Sequence, residues 1–287
     1  MLIFRRTGIY CCVYANPTIQ NNEISGNSAS GKGGGILCED SVQPMIINNI
    51  ISGNLANIGG GIACDFRYGS PTIINNTISG NSANIGGGIA CEDDSFPTVL
   101  NTILWADSPD EIYVDASSEI NITYSDIQGG LPGDGNINVD PLFVDVVGGD
   151  YHLNDYSPCI GAGIMTPDVP NTDIEGNPRP NPPGSNPDIG AYENPLGEPL
   201  SVSGSINGTV TDMAGNPIKL ALVIAVLGET KEKAFTDSEG YYEILNLKPG
   251  TYWVLCIKKG YKAGIKKAEV VAGEETTVDF KLSPKPD

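Results

Sequence analysis

Gly35-Ile36-Leu37-Cys38, Gly61-Ile62-Ala63-Cys64 and Gly88-Ile89-Ala90-Cys91 are one phrase written three times, and Gly8-Ile9-Tyr10-Cys11 is an earlier copy of it. The glycines are 27, 26 and 27 residues apart. Pro17, Pro44, Pro71 and Pro97 keep the same rhythm, with steps of 27, 27 and 26. Four residues after each proline stands Asn21, Asn48, Asn75 or Asn101, and seven after it Ile24, Ile51, Ile78 or Leu104. The first three of these aliphatics lead into Ser-Gly-Asn, ending at Asn27, Asn54 and Asn81. A period this short cannot bury a globular core, and it suits one turn of a solenoid.

Within each period the apolar residues alternate over short runs such as Ile62-x-Cys64, between Gly, Asn, Ser and Pro. That is strand-and-turn chemistry, with no ten-residue stretch of helical period. The reading is a parallel β-helix whose windings stack at about 4.8 Å, so that equivalent residues form columns. Inward isoleucines supply about 1.5–3 kcal/mol each when fully buried. Asparagine columns are expected to hydrogen-bond to their own neighbours above and below. The glycine triplets are expected to supply positive φ at a corner.

The 287 residues carry 36 Gly and 21 Pro, and no run of 18 apolar residues that would span a membrane. The net charge of −19 argues against a nucleic-acid partner, since phosphate contacts need Lys and Arg. A single histidine, His152, removes most histidine-based zinc sites. Charge also divides the chain. Residues 1–199 hold 24 acidic and 5 basic residues, whereas residues 200–287 hold 11 of each. With Pro195-Leu-Gly-Glu-Pro199 at the junction, the expected organisation is a β-helix with closing coils over 1–194, a linker at 195–202, and a second domain at 203–284. The second domain shows seven short strand-like runs between turn signals such as Asp237-Ser-Glu-Gly240 and Lys248-Pro-Gly250, which argues a β-sandwich. The fold class is therefore all-β: a right-handed parallel β-helix followed by a small seven-stranded sandwich.

The Gly-Gly-Gly-Ile and Asn-x-Ile-Ser-Gly-Asn phrases resemble the right-handed β-helix repeats of bacterial surface proteins, including the chlamydial polymorphic outer-membrane proteins. Asp140-Pro-Leu-Phe143, Ser157-Pro-Cys-Ile160, Asp173-Ile-Glu-Gly-Asn-Pro-Arg179 and Asp188-Ile-Gly-Ala-Tyr-Glu193 resemble the closing coils of that group, which often has Asp at the position of Gly161. Gly208-Thr-Val-Thr-Asp212, Thr236-Asp237-x-x-Gly240-x-Tyr242 and Leu247-x-Pro-Gly250-x-Tyr252 are similar to carboxypeptidase regulatory-like domains. Those are transthyretin-like accessory modules without peptidase chemistry. The resemblance implies a secreted or cell-surface protein of a bacterium or archaeon. Met1–Ala15 has the outline of a signal peptide, but Gly8, Ile9 and Cys11 keep the register of the repeat. The expectation is a chain that starts inside a coil, with its secretion signal upstream.

Four cysteines, Cys11, Cys38, Cys64 and Cys91, share one inward column and read as small apolar thiols, with a disulfide or a metal as alternatives. Cys12, Cys159 and Cys256 make the count seven, so full pairing within the chain is impossible. Glu39, Asp65 and Glu92 follow the inward cysteines and point outward beside Asp40, Asp93 and Asp94. Stacked carboxylates repel, which raises pKa values or recruits Ca²⁺. Paired acids on such a face also resemble pectin-degrading glycosidases, whose Gly-His-Gly and Arg-Ile-Lys motifs are missing here. A lyase of the pectate type needs an Arg or Lys base, for which the repeats offer only Lys32 and Arg67. The candidate catalytic residues are thus Glu39, Asp65 and Glu92, set against a solvated acidic face. Candidate Ca²⁺ ligands are Asp93 and Asp94, together with Asp134 and Asp140 of the alternating run Asp134-x-Asn136-x-Asn138-x-Asp140. That run lacks the loop Gly and closing Glu of a calcium hand. His152 reads as structural, Trp105 as core or edge cover, and Arg179 as a tie among Asp173, Glu175 and Asp188. The functional expectation is a monomeric, non-enzymatic structural or adhesive module, with a polysaccharide or cell-surface glycan as partner and no cofactor beyond Ca²⁺. The competing expectations are a polysaccharide lyase or glycoside hydrolase, and a fragment whose function lies in missing residues.

Overall fold

The computed structural model describes residues 7–12, 15–40, 42–65, 70–200, 203–228 and 230–285. The chain divides into two compact units, Met1–Leu200 and Ser201–Asp287.

The first unit begins as a right-handed parallel β-solenoid in which every winding contributes three short strands. They are β1 (Ile9–Cys11), β2 (Thr18–Gln20) and β3 (Glu23–Ser25), then β4 (Ile36–Glu39), β5 (Met45–Ile47) and β6 (Ile50–Ser52). Next come β7 (Ile62–Asp65), β8 (Thr72–Ile74) and β9 (Thr77–Ser79), and β10 (Ile89–Glu92), β11 (Thr98–Leu100) and β12 (Ile103–Trp105). The last winding holds β13 (Ile112–Val114), β14 (Asn121–Thr123) and β15 (Asp126–Ile127). They stack into three five-stranded parallel sheets. The register aligns Ile9, Ile36, Ile62, Ile89 and Ile112, and likewise Cys11, Cys38, Cys64 and Cys91, with Val114 ending that column. These columns, with Ile19-Ile46-Ile73-Val99-Ile122 and Ile24-Ile51-Ile78-Leu104-Ile127, line a single dry core.

Two polar ladders run parallel to that core. In one, the side-chain oxygen of Asn49 accepts the backbone N–H of Asn22, and Asn76 does the same for Asn49 at 2.9 Å; Thr102 and Ser125 continue the file. In the other, Asn54 serves Asn27, Asn81 serves Asn54, and Asp107 serves Asn81 at 2.6 Å. The Asn21, Asn48, Asn75 and Asn101 column differs from expectation. These four residues hold the left-handed conformation, φ 48–58°, and the amide ladder runs one residue further on. In that conformation the chain turns the corner, and from Asn48 onward the side chains reach outward to another segment.

The glycine triplets also work differently from expectation. Only the first of each, Gly33, Gly59 and Gly86, has positive φ. The third is required by close approach: a Cβ on Gly61 would lie 2.7 Å from the Gly88 carbonyl oxygen and 3.2 Å from Asn81 Nδ2. Glycine there lets the amide ladder and the neighbouring backbone share the same space.

Residues 141–200 fold back along the outside of the solenoid as a belt, which includes the antiparallel pair β16 (Phe143–Asp145) and β17 (Asp150–Leu153). Outward isoleucines are thereby covered: Ile47 and Ile74 by Val169, Ile50 by Tyr151 and Ala191, and Ile103 by Cys159, Ile160 and Ile189. The outward asparagines anchor the belt. Asn48 donates to Thr172 O at 2.8 Å, and Asn101 exchanges bonds of 2.9 Å with Ile164 N and O.

The second unit consists of β18 (Gly204–Asp212), β19 (Leu222–Leu227), β20 (Thr230–Phe235), β21 (Tyr241–Leu247), β22 (Gly250–Ile257), β23 (Gly264–Val270), β24 (Glu275–Thr277) and β25 (Phe280–Leu282). One sheet is β21-β18-β24 with β25 also on β18; the other is β20-β19-β22-β23. The seventh sequence run forms two segments because Val278 N turns to Asn207 O while Asp279 accepts from Thr209 N. Ile206, Val210, Tyr242, Val254 and Phe280 fill the space between the sheets.

Asn76→Ala removes the acceptor of a buried backbone N–H and the donor to Ile46 O. At about 1–3 kcal/mol per orphaned buried group, the variant loses about 2–4 kcal/mol in urea denaturation. Asn22→Ala, at the solvent-exposed end of the same ladder, loses less than about 1 kcal/mol.

Candidate functional site

Alternation along β4, β7 and β10 places Glu39, Asp65 and Glu92 outward and in register, as expected. The column is not a bare stack of negative charge. Lys32 Nζ lies 2.9 Å from Asp65 Oδ2 and 2.9 Å from Glu92 Oε2. It gets there because the positive φ of Gly33 lays the corner against the outward face of β4, beside Leu37. Partial burial disfavours the ammonium, but hydrogen bonds and charge from Asp65 and Glu92 outweigh it and raise the Lys32 pKa. Lys32 is thus held as the ion-pair partner of two carboxylates in the column. The Tyr10 hydroxyl donates to Glu39, and that bond, together with burial, raises the tyrosine pKa. Arg67 lies outside the described residues.

Asp93 and Asp94 occupy left-handed turn positions, and their backbone N–H groups bond to Asp115 Oδ2 and Ser117 Oγ. In the Asp134–Asp140 run, Asn136 Oδ1 accepts from Ser125 N and Asn138 Oδ1 from Gly129 N, so both amides face the preceding winding. Asp140 closes a local turn onto Leu142 N. Among the described residues, no three His, Cys, Asp or Glu side chains converge as a metal site requires. The described cysteines are all free thiols. Cys159 donates to buried Asp126 at 3.2 Å, and desolvation pushes that carboxyl up to about 6. Trp105 is half-buried against the belt. His152 stacks on Tyr192 with centroids 3.8 Å apart and bonds Asp150 at 2.6 Å and Glu175 at 3.3 Å.

A buried carboxyl pair in the solenoid was not among the sequence candidates. Glu111 aligns with the glycine column one winding beyond Gly88, in a winding only 23 residues long. Asp107 ends the asparagine ladder beside it. Both are buried, and together with Pro109, Asp110, Gln128 and Leu131 they line a concavity of about 410 Å³. Asp107 Oδ1 accepts from Asn81, and Glu111 Oε1 accepts from Asp107 N at 3.0 Å. The outer oxygens, Asp107 Oδ2 and Glu111 Oε2, receive no donor from the protein. Burial and the neighbouring Asp107 charge push Glu111 up to about 9, while desolvation pushes Asp107 up to about 6. The two carboxyl groups therefore act on each other's ionisation. The sequence signal was the shortened winding and the charge in a glycine column.

Arg179 is buried, and its ion partner is Glu193, with Nε to Oε1 at 2.7 Å, rather than the three acids expected. Nη1 donates to Asn48 Oδ1 at 2.6 Å, and Nη2 to the carbonyls of Gly190 and Ala191. Asp173 and Asp188 instead collect backbone N–H groups, including Glu193 N and Asn194 N. The guanidinium thus fastens the belt to the second winding.

Residues 4–127 match the family model for a right handed beta helix region, and residues 205–283 that for a carboxypeptidase regulatory-like domain. The chain joins a β-helix region to a regulatory-like domain. Structural protein 27 of a virus (isolate Australia/Victoria) is 43% identical over 86 residues, covering 30% of this chain and 16% of that protein. Among solved structures, the Bacillus anthracis TIE protein shares 26% identity over 29% of this chain and 17% of its own, with a TM-score of 0.27. GBS52, the minor pilin of Streptococcus agalactiae, shares 18% over 31% of this chain and 48% of its own, with a TM-score of 0.28. At Gly161 of the belt, φ is +63° and a Cβ would stand 2.3 Å from Gly197 O, so this chain has no room for the Asp often found in the proteins its belt resembles.

Two outcomes follow for the β-helix region. Glu111 is protonated more readily folded than unfolded, so its contribution is intact below the ordinary 4.5 and is lost as pH rises toward about 9. Glu111→Gln, uncharged at every pH, flattens that decline, and thermal scans at pH 9 place its melting about 2–4 °C above wild type. Arg179→Ala leaves Glu193 buried without its partner and lowers stability by about 3–5 kcal/mol, read by the same scans and by urea denaturation.

Proposed function

We propose that this chain is a non-enzymatic structural module of an extracellular or surface assembly, with the β-helix region as a stiff rod and the regulatory-like domain as its accessory. The observation that carries this reading is where the polar groups are spent. Lys32 pairs with Asp65 and Glu92, Glu39 accepts from Tyr10, and Asp107 accepts from Asn81 at the end of a ladder. Lys32, Glu39 and Asp107 thus bind one winding to another. The 43% identity to a viral structural protein supports the same reading, although the match spans about one sixth of that protein. Glycan contact along the solvated acidic face is the finer part of the proposal.

The alternative is a polysaccharide lyase or hydrolase acting through Glu39, Asp65 and Glu92. The full chain incubated with pectins, alginates and neutral glycans, with and without Ca²⁺, is expected to release no unsaturated or reducing ends. Turnover that Asp65→Ala or Glu92→Ala abolishes would overturn the proposal.

A further inference from the structure

The regulatory-like domain leaves one sheet face uncovered. Along β19 and β22, Val223, Ala225, Val254 and Cys256 point into the core, so Leu222, Ile224, Val226, Trp253, Leu255 and Ile257 point the other way. Cross-strand register extends this face into rows: Leu222 lies beside Phe235 and Ile257, Leu255 beside Ile265, and Trp253 beside Lys267. Trp253 is 54% exposed, Phe235 59% and Ile265 61%. Lys231 and Lys233 of β20 stand opposite Val226 and Ile224, so with Lys267 of β23 the apolar strip is flanked by ammonium groups on both sides. Among the described residues of these four strands, the one carboxylate on the face is Glu269, beside Thr251. A contiguous apolar face of this kind marks an interaction surface.

The acidic unit carries the converse surface. At the tip of the β16–β17 hairpin, Val144, Val146 and Val147 are exposed, Val147 completely. The hairpin also carries exposed Asp145 and half-exposed Asp150, the latter bonded to His152, with Asp140 just before it. Apolar groups edged by carboxylates on one unit match apolar groups edged by lysines on the other. Complementary charge of this kind steers encounter and fixes register, while the apolar centre supplies affinity.

We propose that the outer face of the β20-β19-β22-β23 sheet binds the β16–β17 hairpin of a second copy of this chain. Because the two surfaces differ, the contact is heterologous. It generates closed rings, a reciprocal pair included, or open filaments. The proposal departs from the monomer expected from sequence, and it is independent of whether the solenoid also contacts glycan.

The test is sedimentation velocity on the full chain over a range from micromolar to several hundred micromolar, with three samples beside wild type. Trp253→Ser disables the sheet face and Val147→Asp disables the hairpin; both side chains are solvent-exposed, and circular dichroism checks that each variant is folded. Wild type is expected to associate as concentration rises, less so at high salt. Each variant alone should weaken association at least tenfold, whereas an equimolar mixture forms a one-to-one pair, since each partner keeps one intact surface. A wild-type chain that stays monomeric throughout overturns the proposal. So does association that survives both substitutions, or a mixture that fails to pair.

Discussion

The solenoid depends on one constraint: successive windings lie within backbone hydrogen-bonding distance, so every residue shares its space with the residue one turn away. Gly61 shows the constraint most directly, since the oxygen of Gly88 and the amide of Asn81 occupy the place of its missing side chain. The same proximity lets one asparagine oxygen satisfy both the N–H and the amide of the asparagine in the neighbouring winding. A column therefore tolerates either a side chain that bonds along the axis or none at all. Where the stacking stops, the rule lapses, and Glu111 can stand in the glycine column because no further winding fills the space.

Much of this was legible in the sequence. A period of 26–27 residues, with Ile, Cys and Asn recurring in phase, is enough to predict parallel columns, because stacking turns periodicity into neighbourhood. Inward and outward assignments followed from alternation alone, as at Ile62, Cys64 and Asp65. Less legible was what happens where side chains leave the column. Lys32 reaches residues 33 and 60 positions away, and nothing in spacing predicts which way a flexible four-carbon stem will turn. Asn48 and Asn49 are identical in the sequence, yet a left-handed φ at the first sends its amide outward while the second joins the ladder.

The belt was harder still, because its contacts have no period. Arg179 was readable as a buried tie, but its choice of Glu193 over Asp173 and Asp188 depends on loop geometry that no spacing encodes. Its consequence for the solenoid was nonetheless present in composition. The repeats carry apolar residues on both faces of some strands, as in Ile46-Ile47 and Ile50-Ile51, and a second apolar face needs a cover.

The belt also decides how the rod answers a mechanical load. A stack pulled by its final rung tears one rung at a time, each peeling event sparing the rest. Here the chain departs from a strap that is hooked to the second winding through Asn48, to the third through Thr77, and to the fourth through Asn101. Tension entering the belt is thus shared among several rungs rather than falling on the last one alone.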